Sequence, residues 1–213
     1  MFLLVSMVFA LSINAQVEKD SVKVSGSVTF LSLTNSTLSG GYFSPNPSVR
    51  ASISASYQNF AISVMRSSDL LDYKSGGNFF AISPNYAKTF GRFDAFVAVE
   101  LDIFDHDRAM NLAAPYTVLS YNGVVHVETM LAYATLFQGG DINIQMLAIS
   151  KSYIGLTFKA YVWNVNWNGN KKDAALEISK PLNDHFKLSV FGHLNDLSRD
   201  ISMFGAVRVG YSF

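Results

Sequence analysis

From residue 21 to the C terminus, hydrophobic side chains recur at every second position, which is the period of a β-strand. The clearest example runs from Phe93 to Phe104, where Val97 and Val99 lie on an apolar face and Glu100 lies on the opposite, acidic face. Twelve segments have this character: 22–30, 49–57, 60–64, 80–86, 93–104, 116–121, 125–137, 142–150, 153–167, 174–180, 186–194 and 203–213. Segment 116–121 is the least regular, and without it the count falls to ten. The pattern predicts an all-β chain.

The connections between these segments alternate in length. Short ones are expected at 58–59, 89–92, 151–152 and 181–185, and longer, polar or glycine-rich ones at 35–47, 67–77 and 105–115. Long loops gathered at one end are typical of an antiparallel up-and-down transmembrane β-barrel. A soluble two-sheet sandwich or a lipocalin-like barrel is the rival fold, in which the apolar faces would form a core.

The first fifteen residues differ from the rest of the chain. They are apolar from Phe2 to Ile13 and reach a small residue at Ala15, as a cleavable signal peptide does. This run is too short to span about 30 Å of hydrocarbon as a helix. We therefore expect residues 1–15 to be a signal peptide and residues 16–213 to form one exported barrel domain.

Composition narrows the class further. Hydrophobic residues make up 49% of the chain, yet no helix-length apolar run follows the signal segment, so a membrane location would require a closed barrel. The absence of cysteine excludes disulfides and thiolate metal sites. Lys plus Arg and Asp plus Glu both number 16, and no basic patch suggests nucleic acid. No cofactor or metal is expected.

The last strand carries the most specific pattern. Counting back by two from the terminus gives Phe213, Tyr211, Val209 and Val207 on one face. This segment resembles the terminal strand of Gram-negative outer-membrane β-barrels of the porin-like kind. The resemblance implies an outer-membrane location, contact with lipid, and recognition of these four residues by the barrel-assembly machinery.

Aromatic residues are compatible with that location. Tyr and Trp favour the membrane interface, and several lie near predicted strand ends: Tyr57, Tyr86, Tyr116, Tyr153, Tyr211, Trp163 and Trp167. Strands are also rich in aromatic residues for other reasons, so both interpretations stay open.

Ionisable residues of both signs fall on the faces predicted to line the lumen. They are Lys23, Arg50, Asp94, Glu100, Asp102, His126, Glu128, Lys159, Glu177, Lys187 and Arg208. Such a set either braces the interior through paired charges or lines a weakly selective pore. The main functional hypothesis is a porin-like passive channel for small polar solutes.

Two alternatives remain at this point. The first is a non-conducting structural or adhesive barrel that works through its outer loops. The second is a barrel-embedded hydrolase that uses His126 beside Glu128, or the acidic group of Asp102, Asp105, His106 and Asp107 at an outer loop. No His-x-Ser pair occurs, so we do not expect an enzyme.

Overall fold

The computed structural model describes residues 21–35, 42–166, 169–195, 197 and 202–213. These form β1 (Lys23–Leu31), β2 (Thr34–Asn35), β3 (Tyr42–Ser44), β4 (Ser48–Tyr57), β5 (Phe60–Asp69), β6 (Phe79–Phe90), β7 (Phe93–Phe104), a 3₁₀ turn (Arg108–Met110), β8 (Leu112–Asn122), β9 (His126–Leu136), β10 (Asp141–Tyr153), β11 (Leu156–Asn166), β12 (Asn170–Pro181), β13 (Phe186–Asn195) and β14 (Ser202–Ser212). The proposed signal segment and Trp167 lie outside the described residues.

Twelve of the strands form one closed antiparallel barrel in the order β1, β14, β13 and so on down to β4, while β2 and β3 pair separately. Each strand pairs with its neighbours in sequence, so the barrel has the up-and-down topology that the alternating loops predicted. The predicted count of twelve strands is confirmed, including β8, which contains the least regular segment. A two-sheet sandwich is wrong for this chain.

The barrel closes where β1 meets β14. The backbone N–H of Phe213 donates to the carbonyl of Gly26 at 3.0 Å, and the N–H of Gly26 donates back at 3.1 Å. A Cβ atom on Gly26 would lie only 2.4 Å from Cζ of Phe213. Glycine at this position therefore lets the C-terminal ring lie across the seam.

One predicted turn is misplaced. β10 continues through Lys151 and Ser152 to Tyr153, and the chain reverses at Ile154 and Gly155. Both turn residues have positive φ, 49° and 73°, which is the backbone of a tight two-residue hairpin. A β-branched residue is a rare choice for positive φ, so the polar pair before it gave the more conventional but wrong signal.

The two faces of the barrel wall differ in exposure. Outward apolar side chains such as Val97, Leu131 and Val190 are each more than half exposed, as a lipid-facing surface requires. A soluble barrel would leave this surface in water, so the lipocalin-like alternative fails. Among the described residues, no helix has the length and hydrophobicity needed to cross a membrane.

The buried apolar cluster lies inside the barrel and not outside it. It is formed mainly by inward residues of β8 to β11 near one end of the barrel, including Leu112, Ala132, Ile144 and Trp163. This end carries the longer connections, which lie outside the cell in membrane barrels, and we call it the extracellular end; the opposite end is periplasmic. Leu33, which follows β1, also belongs to this cluster, so the chain after β1 turns inward.

Candidate functional site inside the barrel

The register of the strands decides which side chains face inward. Residues directly opposite one another on antiparallel strands share a face, and Arg50 pairs with Thr29 and Ser67 across its two ladders. Following these pairs around the barrel places all eleven ionisable residues proposed for the lumen on this inner face. They divide into four groups by position and partner.

The first group lies on β9 and β11. Lys159 donates from Nζ to both carboxylate oxygens of Glu128, at 3.2 and 3.3 Å. His126 places Nε2 3.6 Å from the same carboxylate, and its Nδ1 contacts the side chain of Asn122 at 2.7 Å. These side chains are between 22% and 33% exposed, so the pairs form in contact with solvent.

The second group continues this line onto β12 and β14. Tyr161 donates its hydroxyl to Glu177 at 2.8 Å, and Arg208 approaches the same carboxylate at 3.8 Å. The Arg208 guanidinium also lies 4.5 Å from the centre of the Phe191 ring, a cation–π arrangement. Acidic and basic side chains thus alternate along one wall.

The third group links β4 to β7, a quarter of the way round the barrel. Arg50 of β4 is close enough to Glu100 and Asp102 of β7, and to Arg208 of β14, for their charges to interact. Its guanidinium lies 5.8 Å from the centre of the Phe79 ring. Two strands lie between β4 and β7, so this interaction spans the inner face of β5 and β6.

The fourth group lies at the periplasmic mouth. Asp94 accepts hydrogen bonds from Thr89 at 2.7 Å and from Asn122 at 2.6 Å. Lys23 and Lys187 are exposed at the same end. Asn122 also contacts His126, so it links Asp94 to the first group.

Three buried ionisable residues escaped the sequence analysis: Asp69, Asp173 and His193. His193 of β13 is fully buried, and its Nε2 lies 3.3 Å from Asp173 of β12. Its ring stacks between Trp163 and Phe204, with centroids 5.4 and 4.7 Å away. Asp173 shares the alternation of Glu177 four residues later, and that periodicity was the signal that could have identified it.

The wall formed by β1, β4 and β5 has a different character. Its inner face is rich in serine, with Ser27 bonded to Ser52 at 2.8 Å and Ser54 bonded to Ser63 at 3.0 Å. These hydroxyls are half-buried. The lumen is thus lined by small polar groups on one side and by charges and rings on the other.

The acidic group proposed at the outer loop is dispersed. Asp102 is buried on the inner face, whereas Asp105 accepts a hydrogen bond from Arg66 at 2.7 Å. His106 packs edge-on to Tyr73, and Asp107 accepts from the N–H of Ala109. Within the described ranges, no group of three or more acidic or histidine residues is arranged to hold a metal ion.

The aromatic residues divide between the two faces. Tyr57, Tyr86, Tyr153 and Tyr211 lie on the outward face near the periplasmic end, as an interfacial belt requires. Tyr116 and Trp163 instead face inward, so their proposed place at the membrane interface is wrong. Both residues occupy positions that alternate with the outward ones, and their closeness to a strand end gave no information about which face they lie on.

Comparisons with known proteins agree at the level of fold. No protein-family model matches the chain, and no curated protein is similar to it at a significant level. Among solved structures, a KdgM porin covers 89% of this chain and 98% of its own, with a TM-score of 0.65 and 13% identity. A NanC porin covers 90% and 99%, with 0.60 and 12%, and KdgM in complex with disordered oligogalacturonate covers 91% and 98%, with 0.62 and 12%.

These neighbours define the class of protein to which the fold corresponds. The chain has the fold of an outer-membrane porin: a closed antiparallel barrel of twelve strands with an apolar outward surface. The outer membrane is the location that this fold and surface require. At 12–13% identity, the likeness extends to the architecture and not to individual site residues.

Proposed function

We propose that this barrel is a passive channel for small polar solutes. The observation that carries the proposal is the partial exposure of the central charged side chains. Those of Glu128, Lys159 and Arg208 are between 21% and 24% exposed although they point into the barrel. In a fully packed interior these charges would be shielded from water. An incompletely paired charge is tolerated only where water hydrates it, so the partial exposure indicates water inside the barrel.

The channel is narrow near its extracellular end. There the stack of Trp163, His193 and Phe204 and the cluster around Leu33 fill inner space. Twelve strands enclose less room than the sixteen of general porins, so a packed layer has a large effect on the cross-section. This layer sets the size limit for the solute.

The charge lining supports weak selectivity between ions. Six cationic inner residues (Lys23, Arg50, Lys159, Lys171, Lys187 and Arg208) face seven acidic ones (Asp69, Asp94, Glu100, Asp102, Glu128, Asp173 and Glu177). One of the KdgM neighbours is a complex with an oligogalacturonate, which is an acidic sugar chain. The lining of this chain contains both acidic and basic side chains. It therefore favours neutral or weakly charged polar solutes that carry both hydrogen-bond donors and acceptors.

Conductance in planar bilayers tests the proposal. The purified chain should give discrete steps with weak ion selectivity under a salt gradient. Glu177→Gln should shift the reversal potential towards anions and Arg208→Gln towards cations. Lys180→Gln is the matched control, because Lys180 lies on the same strand as Glu177 but points outward, and it should leave the potential unchanged. Folded barrels that conduct at no voltage would contradict the channel.

A second function is favoured by the same packed layer. If the cluster around Leu33 closes the lumen completely, the barrel would be structural or adhesive and would work through its outer loops. The loop at residues 70–78 is organised for this, since Asp69 accepts hydrogen bonds from the backbone of Leu71 and Asp72 and from the hydroxyl of Ser75. Silent bilayers together with ligand binding that is lost on deleting 70–78 would favour it.

Export and assembly complete the proposal. Residues 1–15 would be removed after crossing the inner membrane, and Val207, Val209, Tyr211 and Phe213 would be read by the barrel-assembly machinery. Support for the second point comes from their shared outward face on β14. We propose no catalytic role, because Nδ1 of His126 contacts Asn122 and its Nε2 faces a carboxylate.

A further inference from the structure

The outward face of β10 and β11 carries a compact group of four carboxamides near its extracellular end. Asn143 lies directly opposite Asn166, and Gln145 lies directly opposite Asn164. We call these four residues the amide face. Directly behind them, the inward side chains are apolar and buried, as Ile144 at 5% exposure illustrates. The usual polarity of a membrane barrel wall is therefore reversed here.

The lower pair of the amide face, Gln145 and Asn164, lies in the hydrocarbon close to its extracellular edge. Tyr153 lies at the periplasmic end of β10, and Gln145 is eight residues above it. At about 3.3 Å per residue and a strand tilt of about 40°, this places Gln145 about 20 Å above Tyr153, within an apolar band about 25 Å tall. Amide groups in lipid without partners are unfavourable, since hydrocarbon offers no hydrogen bonds.

Contacts within the barrel satisfy these amides only in part. Nδ2 of Asn164 donates to Oε1 of Gln145 at a long 3.4 Å. Oδ1 of Asn164 is buried and has no hydrogen-bond partner among the described residues. Asn143, Gln145 and Asn166 remain exposed. Hydrogen-bonding capacity is thus left over on this face.

A groove of about 440 Å³ adjoins the amide face on the outer wall. Asn143 and Gln145 form one side, and residues of β7, β8 and β9 line the other, including the outward side chains of Val97, Pro115 and Leu131. The groove gives room for protruding side chains beside a polar contact.

We propose that the amide face and its groove form the contact between two copies of this chain in the membrane. A carboxamide both donates and accepts, so a face made of four of them is complementary to itself across a two-fold axis, which is the symmetry of most dimers. An acyl chain of a lipid would leave the amides unpaired. A second copy would supply hydrogen-bond partners to these amides, and it would lie at the same depth in the membrane.

Single cysteines test the proposal cleanly because the chain has none of its own. Asn164→Cys and Asn166→Cys, oxidised in native outer membranes, should give covalent dimers. Val64→Cys is the control, since it points outward on β5, on the opposite side of the barrel, and it should stay monomeric. A double variant, Gln145→Leu with Asn164→Leu, should convert the native chain from mostly dimeric to mostly monomeric in mild detergent while keeping its heat-modifiable mobility.

Several results would overturn this inference. They are a native chain that is monomeric in membranes, cross-linking as efficient through Val64→Cys as through Asn164→Cys, and a dimer that survives the double leucine variant. Co-purified lipopolysaccharide on a monomer that is lost in the double variant would assign the face to lipid and would equally reject the dimer. None of these outcomes depends on whether the barrel conducts.

Discussion

Strand β7 and the extracellular half of β10 present opposite polarities to the same membrane. On β7, Val97 and Val99 face outward and Glu100 faces inward. On β10, Gln145 faces outward and Ile144 faces inward. Both segments alternate with a period of two, so the difference lies in the phase of the alternation relative to the barrel and not in its regularity.

This contrast shows that alternation alone does not identify the lipid face. Within β10 the apolar positions change parity, from Ile144 and Met146 inside to Leu147 and Ile149 outside. Ile144 and Met146 pack inside the barrel, whereas the polar residues between them, such as Gln145, face lipid without matching its polarity. The strand segment with the better internal packing is therefore also the segment whose outward face we propose to bind a second copy.

The largest difference in the free energy of unfolding should appear between two parts of the inner face, the packed layer and the serine-rich wall. Trp163 belongs to the packed layer, so Trp163→Ala should lower the free energy of unfolding by about 3–5 kcal/mol through cavity formation. Ser54→Ala on the serine-rich wall should lower it by only about 0.5–1.5 kcal/mol, because it removes one hydroxyl bond to Ser63. Denaturant unfolding in lipid vesicles measures both. Equal effects would mean that the layer around Trp163 is not packed.

The next largest difference in the free energy of unfolding should appear between β7 and β10 on the outer face. Val99→Arg places a charge in the middle of the apolar surface of β7 and should cost about 2–4 kcal/mol. Gln145→Arg replaces one polar group by another near the extracellular edge and should cost at most about 1 kcal/mol. Unfolding at a low ratio of protein to lipid keeps the barrel monomeric for this comparison. A larger cost at Gln145 would contradict the reversed polarity of β10.

The smallest effect on the free energy of unfolding should come from the ion pair at the extracellular rim, where water screens the charges. The hydrogen bond from Arg66 lowers the pKa of the Asp105 carboxyl below its ordinary value. A lowered folded pKa means that the pair stabilises the fold above the pH at which unfolded Asp105 titrates and loses this contribution as the pH falls through the folded value. Both side chains are about a third exposed, so we expect at most about 1 kcal/mol.

Comparing unfolding at pH 7 and pH 3 for the native chain and Arg66→Gln measures that contribution. Arg66→Gln should reduce the pH dependence, and Lys74→Gln, whose ammonium lies over the Tyr73 ring, is the control that should not. An unchanged pH dependence in Arg66→Gln would show that this pair has no energetic role.

Much of the inner lining could be predicted from the sequence because charge is so costly in lipid. Glu100, Glu128 and Lys159 had to face inward whatever the register. Asp173 and His193 were harder to identify, since their role depends on Trp163 and Phe204 from other strands stacking around them. The electrostatic interaction of Arg50 with Glu100 was also hidden, because it joins strands that are not neighbours in the barrel.

The sequence by itself determined the all-β class, the antiparallel up-and-down order and the alternation of the closing strand, and it left twelve or ten strands open. These follow from local periodicity, from turn chemistry and from the requirement that no backbone group be left unpaired in lipid. Tertiary structure alone decided that Tyr116, Ile144 and Trp163 point inward and that Gln145 and Asn164 point outward. The reason is that each strand inherits its orientation from its neighbours through the ladder of hydrogen bonds, and a closed barrel makes that orientation consistent all the way round.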